Sequence, residues 1–106
     1  MFAHLVLIKL KPGVTRANPR VPGWEAKFAA LEHQCAGIVR FESGWNTTDR
    51  PIAYDFGINM AFATRADLDA YGPNPAHQEV VTRTARDRRL GHLRLRNCRV
   101  IARKFP

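Results

Sequence analysis

A chain of 106 residues that is 45% hydrophobic and 25% charged makes one domain with a thin core, to which a partner subunit would add. No apolar run approaches the roughly 18 residues of a membrane span, and two cysteines without a CxxC and four histidines without i,i+4 spacing argue against a disulfide scaffold or a metal site. The net charge of +8 is local: residues 1–82 balance 8 basic against 8 acidic side chains, whereas residues 83–106 carry 9 basic against Asp87 alone.

The stretch "FAHLVLIKL" from Phe2 reads as a strand ending at the Pro12-Gly13 turn signal. Phe2, His4, Val6, Ile8 and Leu10 share one face, and Ala3, Leu5, Leu7 and Lys9 the other. Both faces are apolar, so helices are expected on one and a second subunit on the other. The segment lacks a basic n-region and a cleavage site, so it is not read as a signal peptide and a cytoplasmic location is expected.

After a proline-punctuated loop, a helix is predicted from about Gly23 to His33, with Trp24, Phe28 and Leu31 in one stripe. Gly37 breaks the chain. A strand from about Ile38 to Trp45 places Val39, Phe41 and Trp45 on one face and Arg40 and Glu42 on the other. The next, from about Tyr54 to Ala63, aligns Phe56, Ile58, Met60 and Phe62. Thr64 opens a short helix through the capping box "TRAD". Asn74 and Pro75 begin another, predicted to run to Arg88 or Arg89, and "LRLRNCRVIARKF" closes as a fourth strand. The order β-α-β-β-α-α-β implies an α+β sandwich with one sheet face bare of helices.

The segment "YGPNPAHQEVV" is broken twice by proline and then places His77 in the first turn of a helix. Free N–H groups and a partial charge of up to about half a unit make such a turn electropositive, which favours a neutral imidazole and a developing oxyanion. Tyr71, across the kink, can offer a phenolic O–H. A base, a donor and an anion-friendly turn suit proton abstraction beside a carbonyl, followed by carbon–carbon bond formation. On local chemistry alone, however, a lone histidine in a first helical turn is usually a partly exposed capping residue and such a tyrosine usually core.

His4 in the first strand, "GW" closing the second, "YDFGINMAF" in the third and "DLDAYGPNPAHQEVV" together resemble the stress-responsive dimeric A/B barrel (Dabb) family, over residues 2 to about 82. The resemblance implies one ferredoxin-like domain over residues 1–106, paired sheet to sheet as a dimeric α+β barrel, with a pocket between helices and sheet. It also implies the activity best understood in the family, that of a polyketide cyclase of the olivetolic acid type. That reaction is an aldol condensation without metal or cofactor, in which the tyrosine and last histidine of Y-x-x-H-P-x-H act as donor and base. Tyr71, Pro75 and His77 match that motif and His4 matches the first-strand histidine, so His77, Tyr71 and His4 are the expected catalytic residues. Asn74 replaces the motif's first histidine, and Phe56 stands where another histidine occurs, which implies a different substrate. Trp24, Phe28, Val39, Phe56 and Asn74 are the expected substrate-binding residues.

The arginine-rich segment 83–106 departs from the family pattern. Its readings are a polyanion-binding extension, an ordinary last helix and strand with basic solvent faces, or a terminal sequence that has left the ancestral one; the second is preferred, and nucleic acid is not expected as a partner. The functional alternatives to a cyclase are a non-catalytic small-ligand-binding dimer and a cofactor-free monooxygenase using Trp45, Asn59 and His77.

Overall fold

The computed structural model describes residues 1–96. The fold runs β1 (Phe2–Leu10), α1 (Trp24–Gln34), β2 (Ile38–Trp45), β3 (Phe56–Phe62), α2 (Arg65–Tyr71), α3 (Pro75–Thr84), a single 3-10 turn (Ala85–Asp87) and β4 (Arg88–Arg96). The strands form one antiparallel sheet in the order β2-β3-β1-β4. This is a ferredoxin-like α+β fold, with β1 and β3 central because they carry the longest apolar alternation.

The helices cover the face that carries His4, Ile8, Phe56, Ile58, Met60 and Phe62, all buried. Trp24, Phe28 and Leu31 of α1 descend onto it, as the stripe predicts. Each fully buried large side chain contributes about 1.5–3 kcal/mol, so this single layer supplies most of the cohesion. Gly37, at φ +82°, turns α1 into β2 with the Asp67 side chain lying where a Cβ would project.

Two features differ from expectation, a helix end and a strand register. The expected helix to Arg88 or Arg89 stops at Thr84, because residues 85–88 serve the sheet and the helix end instead. Asp87 is buried and takes a bidentate pair from Arg20 (2.6 and 3.1 Å), and its carbonyl accepts from the Lys11 N–H. Arg88 then caps the helix, donating to the Val81 carbonyl at 2.9 Å and to the Thr84 hydroxyl at 3.0 Å. Arginine is a good helix former, so the local pattern gave no stop signal. The fourth strand consequently begins at Arg88, and the end of the expected strand, with Cys98, lies outside the described residues.

The second difference is in β2. Ile38 pairs with Phe62 and Arg40 with Ala61, so Val39 has no partner and forms a bulge. The extra residue puts Ile38, not Val39, on the core face with Phe41, and Val39 is 59% exposed.

Candidate active site

Three sequence features converge where α2 gives way to α3. The chain stops at Tyr71 because Gly72 and Pro73 follow, and Asn74 restarts it, its Oδ1 accepting from the Ala76 N–H at 2.9 Å. His77 thereby folds back, and its Nδ1 lies 2.9 Å from the Gly72 carbonyl, which also accepts from Gln78 Nε2 at 2.6 Å. A carbonyl can only accept, so Nδ1 carries the proton and Nε2 of a neutral ring keeps its lone pair.

The Tyr71 and His77 rings are 4.2 Å apart between centroids. His4 meets Tyr71 edge-on at 5.7 Å, and Phe62 backs the phenol at 5.3 Å. All three expected catalytic residues line one cavity of about 230 Å³. Its floor is His4, Val6 and Ile58 of the sheet, its helical wall Phe28, Tyr71, His77, Val81 and Thr84, and its outer wall Arg88, Leu90, His92 and Arg94 of β4.

Burial sets the protonation states. His4 is held down at about 4, first by desolvation and then by the nearby Arg94, His92 and His77. Its Nδ1 is buried without a hydrogen-bond partner. Tyr71 is pushed well above the ordinary phenol range, chiefly by burial, with Cys35 adding to the rise and Arg94 opposing it. The site thus holds a neutral imidazole at its floor and a phenol that keeps its proton. The α3 turn offers fewer donors than the sequence suggests, since Pro75 has no N–H and Asn74 takes that of Ala76. The phenol is left as the better-placed donor to an oxyanion.

The expected pocket walls separate. Phe28 lines the cavity. Trp24 and Phe56 are core residues outside it, Phe56 stacking on Phe28 at 5.7 Å and meeting Trp45 at 4.9 Å. Val39, in its bulge, and Asn74, spent on capping, are also absent from the lining. Trp45 and Asn59 lie elsewhere too, Trp45 under the Arg16 guanidinium at 4.5 Å and Asn59 hydrogen-bonded to Glu42 at 3.2 Å. The monooxygenase trio is therefore dispersed.

The β4 wall is the part sequence reasoning missed. The alternation Arg88, Leu90, His92, Arg94 was the available signal, hidden by starting the strand too late. Register confirms the face, since His4 pairs with Arg94 and Val6 with His92. As the preferred reading of the basic segment has it, a last helix and strand carry exposed cations, Arg89, Arg94 and Arg96 in β4; Arg88 and Arg94 in addition border the cavity, and Arg89, Leu93 and Leu95 share the bare face.

Among the described residues no helix is long and apolar enough to cross a membrane, and no cluster of three or more His, Cys, Asp or Glu could hold a metal ion.

Comparison with known proteins places these residues in context. The Stress responsive A/B Barrel Domain matches residues 2–90. An uncharacterized protein of Streptomyces coelicolor is 47% identical over 78 residues, spanning 74% of this chain and 80% of the relative. A Dabb family protein of Mesorhizobium loti superposes with TM-score 0.75 at 20% identity, over 92% of this chain and 96% of that one. A hydroxynitrile lyase of Passiflora edulis superposes with TM-score 0.74 at 15% identity, over 99% and 96%. A dimeric ferredoxin-like protein of Bacteroides fragilis gives TM-score 0.75 at 18% identity, over 89% and 93%.

Proposed function

We propose that this chain, which belongs to the stress-responsive A/B barrel domain family, is a small cofactor-independent enzyme that enolises a poly-β-keto or related carbonyl compound and closes it by aldol addition. The observation that carries the reading is the Tyr71–His77 pair, 4.2 Å between centroids on the wall of a mostly apolar cavity. A hydroxynitrile lyase shares the fold, and a fold hosts many chemistries, so the residues must decide.

His77 Nε2 removes a proton from the carbon between two carbonyls, while Nδ1–H remains on the Gly72 oxygen and steadies the imidazolium. The Tyr71 hydroxyl donates to the carbonyl oxygen as it becomes an enolate, in a site where burial strengthens that bond. The enolate carbon attacks a second carbonyl of the same molecule, and the resulting alkoxide recovers the proton from His77. Proton and electron pairs balance within the substrate. His4, against the Tyr71 ring, holds the phenol in place.

Incubation with linear poly-β-keto thioesters, quinol-type aromatics and haem separates this reading from the monooxygenase and from a mere binder. Cyclised product from the thioesters alone supports the proposal. Oxidised quinol or haem, or tight binding without turnover, contradicts it. We further propose that the working unit is a homodimer closed through the bare sheet face and that it resides in the cytoplasm.

A further inference from the structure

The cavity contains two guanidinium groups and no acidic side chain. Arg88 is half-buried and held in place by the Val81 carbonyl and the Thr84 hydroxyl, two neutral partners. The ion pairs among the described residues use Arg20, Arg40, Arg65 and Arg83, so neither Arg88 nor Arg94 has a protein counter-ion there. Burial lowers the Arg88 pKa, as it does for a cation short of negative charge. Arg94 stands on the strand next to His4, whose Nδ1 is buried and unpartnered. The Arg94 cation and the unmet hydrogen-bonding group of His4 therefore lie side by side at one end of a cavity whose floor and helical wall are mainly apolar.

A structural purpose accounts for only part of this. Arg88 caps α3, but capping needs no partner cation. The Arg94 side chain makes no hydrogen bond or ion pair among the described residues although it borders the cavity, and the opposite face of the strand carries Arg89, Leu93 and Leu95. Guanidinium forks match carboxylates in a planar, two-point geometry.

We propose that the β4 wall is a carboxylate-recognition site: Arg94 binds the carboxylate of a keto-acid ligand and so orients its carbonyl toward Tyr71 and His77, while Arg88, farther along the same strand, adds positive charge to the wall. The proposal rests on reading the cavity as a substrate site, and it adds the class of substrate, an anionic carbonyl compound rather than a neutral one.

The test is equilibrium binding, which needs no turnover and so stands or fails apart from the aldol reaction. Titrate the full chain, observed by NMR, with 4-oxooctanoate and with its neutral isostere 4-oxooctanamide, and repeat with Arg94→Gln. Arg94 is exposed, so this variant is expected to keep its fold, verified by an unchanged melting midpoint. The wild type should prefer the acid by about tenfold or more, since charge-assisted hydrogen bonds are roughly twice as strong as neutral ones. R94Q should lose most of that preference while binding the amide as before, and added salt should weaken only the acid. Equal affinities in the wild type, no binding of either compound, or an undiminished preference in R94Q would overturn the proposal. Displacement of the acid by an equal concentration of inorganic phosphate would also overturn it, by assigning the arginines to phosphate esters.

Discussion

Tyr71 and His77 owe their contact to two prolines and an asparagine that contribute no chemistry of their own. The second proline sets the first helical position and the asparagine caps it, so the imidazole returns toward the phenol it has just left. Loss of a positioned acid–base group costs about 10²–10⁴-fold. His77→Ala and Tyr71→Phe should therefore each lower turnover on the thioester at least about a hundredfold with an unchanged circular dichroism spectrum. Full activity in either variant would remove that residue from the mechanism. His4 makes a different prediction. Its pKa is lowered from 6.5 to about 4 in the fold, so the unfolded chain takes up the proton first. Stability is complete above about pH 6.5 and declines as pH falls toward 4, flattening below. Urea midpoints followed from pH 7.5 to 4 should fall more steeply for the wild type than for His4→Phe; parallel curves would show that His4 does not carry this dependence. Which histidine would be buried was legible only as a position on an apolar strand face. Its unsatisfied Nδ1 depends on what the helices place above it, and no local pattern records that.

At the scale of elements, α3 begins where its sequence says and ends where its sequence does not. The Asn74 cap is local chemistry, and replacing it with alanine should cost about 1 kcal/mol in a denaturant melt. A change near zero would mean that Pro75 and packing alone fix the start. The helix end is decided at long range, by Arg20 reaching Asp87 across 67 residues of chain and by β1 drawing Arg88 to Leu10. The bulge at Val39 is hidden for the same reason. Strict alternation put Val39 with Phe41, and only pairing with β3 shows that one residue is skipped. Strands β1 and β3 and helix α1 were readable because burial of one continuous face writes its period into the sequence. The β4 wall was not, because the fragment's arginines looked alike until a register sorted them into cavity and rim.

For the whole molecule, the sheet divides into a helical face that holds the site and a bare face that holds Leu5, Leu7 and Leu93, the last two 42% and 52% exposed. Exposed leucines aligned on neighbouring strands are unusual for a face left in water. Pairing that face with a second copy would bury them, and dimeric neighbours of the same fold are consistent with it. Light scattering should give twice the chain mass for the wild type, and Leu7→Glu should give a monomer. A monomeric wild type would contradict the pairing while leaving the cavity, on the opposite face, intact.

Proton removal can be observed without knowing the final product. Exchange of the α-hydrogens of a 1,3-dicarbonyl compound for deuterium, followed by NMR in D₂O, reads the first step directly. The wild type should accelerate exchange well beyond buffer, and His77→Ala should return it to within about a hundredth of the wild-type excess. Equal exchange by wild type and His77→Ala would mean that the imidazole beside Tyr71 is not the base.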